Sequence, residues 1–201
     1  MSFLEAHSQA TLANIKNGYE QAEKLGSDRL IAMIGASELI ENNQACIVID
    51  SGTATTIDAL DETGQHLGGV IFPGFELSVN SLSSNTELLP KIDFTKHENE
   101  HLFEENGFAT NTKQAIASGC LLSLASAIDG ICNKMQRRLE ASTEERNKVQ
   151  VRRILCGGVA KTLLPYLEND YDCHENLIMI GLKKIHLSKQ VRHKENSSTN
   201  D

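Results

Sequence analysis

Val48-Ile49-Asp50-Ser51-Gly52-Thr53-Ala54-Thr55-Thr56-Ile57-Asp58-Ala59-Leu60, with Leu67-Gly68-Gly69-Val70-Ile71-Phe72-Pro73-Gly74 close behind, carries the architecture of this chain. It reads as a buried strand, a tight turn of small residues and a second strand. A reverse turn at Asp61-Glu62-Thr63-Gly64 leads into a third strand. An acidic residue at a strand end beside a Gly/Thr turn suits phosphate and cation together. The turn offers backbone N–H groups and hydroxyls to phosphate oxygens, and the carboxylate holds a metal or its waters. The pattern points toward nucleotide chemistry.

Working toward the N-terminus, residues 1–24 are polar, with Leu4, Leu12 and Ile15 at helical spacing, and a helix is expected there. Gly26-Ser27-Asp28-Arg29 interrupts it. The next helix is expected from about Arg29 to Glu41, with Asp28 available as its N-cap. Antiparallel strands follow at about 45–50, 54–60 and 66–72, and a helix near 75–84. Residues 90–106 are polar and irregular. Asn111-Thr112 opens a long helix to about Glu140, with Ile116, Leu121, Leu124 and Ile128 on its apolar face. Val151–Cys156 reads as a strand ending in Gly157-Gly158, followed by a helix through Leu167. A last strand is expected at Leu177–Gly181, a short helix at Leu182–Ile185, and a disordered polar tail from Ser188. The expected fold class is α/β. The order of elements resembles the ribonuclease-H-like lobe of the sugar kinase, Hsp70 and actin superfamily, whose members carry two lobes with a nucleotide in the cleft between them.

The 201 residues are 40% hydrophobic, enough for a core, and carry a formal net charge of −8. No basic stripe exists to neutralise phosphates, which argues against a nucleic-acid partner. A small anionic ligand stays compatible, since a local site can be positive on an acidic protein. Cys46, Cys120, Cys132, Cys156 and Cys173 form no C-x-x-C pair and read as free thiols of a reducing compartment. With no signal peptide and no apolar run of spanning length, no membrane partner is expected and a cytoplasmic location is.

Four segments occur in register: Gly26-Ser27-Asp28-Arg29, Asp50-Ser51-Gly52-Thr53-Ala54-Thr55, Gly68-Gly69-Val70-Ile71-Phe72-Pro73-Gly74, and Asn111-Thr112 with Gly119. Together they resemble type III pantothenate kinases, some of which have been named Bvg accessory factor. The resemblance covers roughly residues 19–182; each motif alone is weak, and four in order are specific. It implies phosphorylation of pantothenate by ATP to 4′-phosphopantothenate, the first step toward coenzyme A. It also implies magnesium, a monovalent cation (potassium or ammonium), and a homodimer whose subunits both shape the pantothenate site.

The resemblance assigns roles residue by residue. Asp28 would accept the proton of the pantothenate hydroxyl; from spacing alone it is a helix cap. Tyr19, Gly26, Ser27, Arg29 and Thr112 would hold pantothenate. Taken singly, Arg29 is a solvated first-turn arginine, Tyr19 a half-buried helix residue, and Thr112 an N-cap shared with Asn111. Thr53 would touch ATP, and Asp50 would hold the monovalent cation, although an aspartate there also suits turn N–H groups. Asp58 shares a strand face with Thr56 and is a further candidate carboxylate. Gly157-Gly158 resembles the superfamily's adenosine-side turn.

Family members begin with a strand and an Asp-x-Gly-Asn-Thr loop, a motif that does not occur among these residues. Residues 1–43 are therefore expected to be a remnant of the first lobe, 44–187 the second ribonuclease-H-like lobe, and 188–201 a disordered tail. Half a phosphate cradle supplies much of the electrostatic stabilisation in phosphoryl transfer, so the chain as written is expected to be a poor kinase. The alternative is a non-catalytic accessory or binding protein derived from that kinase, or an inactive truncated fragment.

Overall fold

Leu12 and Ile15 meet across a hairpin rather than along a helix. In this computed structural model, which describes residues 11–86, 89–92, 103–104, 106–141 and 149–198, β1 (Thr11–Leu12) and β2 (Ile15–Lys16) pair antiparallel. Ala13 and Asn14 form the loop with φ of 48° and 71°, the left-handed geometry that two-residue hairpin loops require. A 3₁₀ turn at Ala22–Lys24 follows. The helix expected over 1–24 is thereby corrected for its described part; residues 1–10 lie outside the described residues. An apolar spacing of three serves either conformation, and Asn14, which tolerates the left-handed region, tips the choice.

α1 (Ser27–Ser37) starts two residues before the expected position and stops four before Glu41. Gly26 is its N-cap, so Asp28 is not. Asp28 sits in the first turn, where its Oδ1 accepts the Arg29 amide N–H at 2.9 Å.

The three expected strands form in place as β3 (Ala45–Ser51), β4 (Ala54–Leu60) and β5 (His66–Pro73), an antiparallel meander. Next come α2 (Phe75–Asn85) and α3 (Thr112–Ala141). β6 (Val151–Cys156) returns parallel to β3. It leads into α4 (Ala160–Leu163), a 3₁₀ turn at Leu164–Tyr166, and β7 (Asp172–Cys173) parallel to β6. The sheet order is β5-β4-β3-β6-β7, which is the ribonuclease-H-like arrangement.

The chain then differs from expectation. Leu177–Gly181 is not a strand but the opening of α5 (Leu177–Ser198), which continues past Ser188 where a tail was expected. A short apolar run does not by itself distinguish strand from helix. Here the edge position is already filled by β7, a two-residue strand too short to show a pattern.

Two helical layers cover the sheet. Ile47, Ile49, Ile57, Ala59 and Leu155 pack with Ile116, Leu121, Leu124 and Ile128 of α3. On the other face, Cys46, Val48, Leu60 and Ile154 pack with Leu30, Met33 and Ile34 of α1 and with Leu177 and Ile185 of α5. α3 is long and apolar enough to cross a membrane by composition, but its apolar stripe is spent on the sheet. Its buried Asp129 accepts hydrogen bonds from the Glu168 amide at 2.8 Å, Asn169 Nδ2 at 2.6 Å and the Tyr171 hydroxyl at 2.8 Å, which ties down the segment before β7.

α1 and α5 cross through glycine. A Cβ on Gly35 would overlap the Leu177 carbonyl, and one on Gly181 the Ile31 carbonyl. Backbone-to-backbone approach on this side sets where the N-terminal end of α1 lies.

Candidate active site

Four side chains converge beneath the first turn of α1. Arg29, though in a motif that reads as solvent-facing, is 5% exposed. Its Nε donates to Asp58 Oδ2 at 2.9 Å and its Nη2 to Asp58 Oδ1 at 2.6 Å, a bidentate fork. Nη1 donates to the Tyr19 hydroxyl at 2.6 Å, and the guanidinium carbon lies 5.4 Å from the centre of the Tyr19 ring. His66 Nε2 lies 2.8 Å from Asp58 Oδ1, and its ring stacks on Tyr19 at 5.8 Å and 17°. Burial raises the Asp58 carboxyl, but the hydrogen bonds and charges of His66 and Arg29 outweigh it and hold it below the ordinary 3.8. Burial likewise opposes the Arg29 charge, and the Asp58 and Tyr19 interactions reverse that.

The strand pattern explains the meeting. Asp58 points to the α1 side of β4 and pairs with Gly69 on β5. A Cβ on Gly69 would overlap Asp58 Oδ1 and stand 2.8 Å from Arg29 Nη2. The second glycine of the Gly68-Gly69 motif thus makes room for the ion pair. A cavity of about 440 Å³ opens beside it, bounded by Tyr19, Gln21, Lys24, Gly68 and Gly69.

Asp28 is exposed at the N-terminal end of α1, next along the chain from Arg29. Its charge reaches Asp50, at the C-terminal end of β3. The Asp50 carboxyl is raised by burial first and by Asp28 second, against a hydrogen bond from the Cys156 thiol. A half-buried carboxylate facing a second carboxylate is an environment that a cation relieves. Among the described residues no group of three or more His, Cys, Asp or Glu is placed to hold a metal ion. Gly157, at φ 98°, passes so close that a Cβ would reach Asp50 Oδ1 at 2.6 Å. A cavity of about 400 Å³ is bounded there by Asp50, Cys156, Gly157, Gly158, Lys161 and Glu175.

Thr53 is exposed in the β3–β4 turn, and its carbonyl accepts the Gly74 N–H at 3.0 Å, so the Pro73-Gly74 loop is latched to the turn. Gly26 and Ser27 stand at the start of α1 beside Asp28. Thr112 is not brought to them: α3 covers the opposite face of the sheet from α1, and no described contact links Thr112 to Tyr19, Asp28 or Arg29. Asn111, not Thr112, caps α3, its Oδ1 accepting the Gln114 N–H at 3.0 Å. His66 escaped the sequence reading. The signal was its place just before Gly68-Gly69, on the strand that pairs with Asp58.

An apolar groove of about 630 Å³ between α2 and α3, lined by Phe72, Leu77, Leu82 and Ile116, lies apart from these charged groups.

Residues 1–134 match the sequence profile described as type III pantothenate kinase. A type III pantothenate kinase of Janthinobacterium sp. (strain Marseille) is 36% identical over 178 residues, covering 89% of this chain and 63% of the relative. That of Herminiimonas arsenicoxydans is 36% identical over 178 residues, covering 89% and 64%. The chain therefore spans less than two thirds of the length of these relatives. Among solved structures, a Baf family protein from Campylobacter jejuni superposes with a TM-score of 0.55 at 22% identity, over 89% of this chain and 70% of that one. That likeness bears on the fold alone.

Proposed function

This chain belongs to the type III pantothenate kinase family, and from that premise we propose that it contributes the acceptor site and part of the nucleotide site of an ATP-dependent pantothenate kinase. The product is 4′-phosphopantothenate, on the route to coenzyme A, made in the cytoplasm. The observation that carries the reading is Asp28: an exposed carboxylate in the first turn of α1, next to Arg29 in the chain and near enough to Asp50 for its charge to act there. In that place it can orient the acceptor hydroxyl and take its proton as the phosphoryl group transfers. Gly26 and Ser27 frame the acceptor beside it, with Tyr19 and Arg29 beneath.

The Thr53 turn and the Asp50–Gly157 cavity lie on the nucleotide side. The setting of Asp50 fits a monovalent cation, which when bound offsets phosphate charge. Magnesium would accompany the nucleotide and offset phosphate charge. Thr112, remote from Asp28 within one chain, fits a role in a homodimer, where a partner copy supplies it; the apolar α2–α3 groove suits burial in that contact.

The test is pantothenate-dependent ADP release, with potassium and magnesium present, for the wild-type chain and Asp28→Asn. The expected loss in Asp28→Asn is about 10²–10⁴-fold, the usual contribution of a positioned base. Folded wild-type protein that binds pantothenate without releasing ADP would mark an accessory binding protein instead.

A further inference from the structure

The Arg29 guanidinium carries five N–H donors, and three are already engaged, two by Asp58 and one by Tyr19. Among the described residues, one N–H remains on each terminal nitrogen. Both nitrogens abut residues that bound the 440 Å³ cavity: Nη1 touches Tyr19, and Nη2 lies against Gly69. The fork can therefore offer these N–H groups at the cavity wall only while Asp58 holds its other edge.

Asp58 is in turn held by His66. An ionised carboxylate only accepts, so His66 Nε2 carries the proton between them. Among the described residues nothing engages the other ring nitrogen: His66 Nδ1 is buried without a hydrogen-bond partner. Buried polar atoms are ordinarily satisfied. An apolar ring would fill the same slot beside Tyr19 without stranding a nitrogen, so the Nε2 donor is what the histidine adds.

We propose that Asp58 and His66 are positioning residues: they fix the Arg29 fork so that its two remaining N–H donors meet a carboxylate of the acceptor in the Tyr19–Gly69 cavity. This rests on the acceptor reading given above, with pantothenate as the carboxylate-bearing alcohol. His66 touches no substrate in this scheme and acts through Asp58 on Arg29.

The test is calorimetric titration of pantothenate, and separately of ATP, into wild-type protein, His66→Phe and His66→Gln, following the Arg29 Nε–H signal by nitrogen-edited NMR. His66→Phe keeps a ring against Tyr19 and deletes the donor. It should weaken pantothenate binding about ten- to a hundredfold, as small misplacements of a positioned group do, leave ATP affinity unchanged, and speed exchange of the Arg29 Nε–H. His66→Gln, whose side-chain amide can donate to Asp58, should restore most of both effects. Unchanged pantothenate affinity in His66→Phe overturns the proposal. So does weakened binding with an unaltered Nε–H, because His66 would then act other than through Arg29. Wild-type protein that takes up no pantothenate, while its protected Nε–H is freed in His66→Phe, overturns the acceptor reading and upholds the positioning of the fork.

Discussion

Asp58 is the residue on which the site and the fold both lean. Its carboxylate satisfies a guanidinium and an imidazole that have almost no access to water, with side-chain exposures of 5% for Arg29 and 0% for His66. Removing its charge leaves Arg29 buried and uncompensated, so Asp58→Asn should lower stability by about 3–5 kcal/mol, measured by chemical denaturation. The pH dependence has a definite sign. The folded carboxyl titrates below its ordinary 3.8, so between that lower value and 3.8 the unfolded chain binds more protons than the folded one, and stability rises with pH. The stabilisation is complete above 3.8 and is lost as pH falls through the folded value. Thermal midpoints recorded from pH 7 to pH 2.5 should show this fall in wild type and a shallower one in Asp58→Asn. Equal slopes would remove Asp58 as its source.

At the scale of elements, what was legible depended on length and on contrast with neighbours. β3, β4 and β5 were readable because apolar runs end at punctuated turns, Gly52-Thr53 and Asp61–Gly64. α3 was readable because thirty residues give the helical period room to repeat. β1, β2 and β7 have two residues each and no period to show. α5 was misread because Leu177–Ile180 is apolar without interruption, and only its packing on α1 decides its conformation. The site divided in the same way. Arg29 touches Tyr19, and Asp28 beside it bears on Asp50. His66 stayed hidden because a cross-strand pairing, not a linear spacing, brings it to Asp58. The α1–α5 crossing yields its own prediction. Gly181→Ala would force its methyl into the Ile31 carbonyl, and overpacking of this kind costs about 1–3 kcal/mol. The denaturation midpoint should fall accordingly; an unchanged midpoint would mean that the helices lie farther apart.

Across the whole molecule, the layered build sorts the five cysteines. Cys46, Cys132 and Cys156 are buried, and burial pushes their thiols up to about 12, 11 and 12. The thiolate is the nucleophile, so all three should resist iodoacetamide at pH 8. Cys120 and Cys173 are half-buried and should be modified first, with all five reacting in denaturant, as peptide mass spectrometry would show. Early labelling of Cys46 would contradict the closed layer between α1 and the sheet. That layer also bears on timing. Asp28 and Arg29 lie on a helix that is backed by Leu177 and Ile185, far downstream in the sequence. A ribosome makes these partners well over a hundred residues apart. Until that downstream segment clears the exit tunnel, α1 lacks its packing partner on that side. The helix that carries Asp28 and Arg29 is thus completed only after residues far downstream of it have been made.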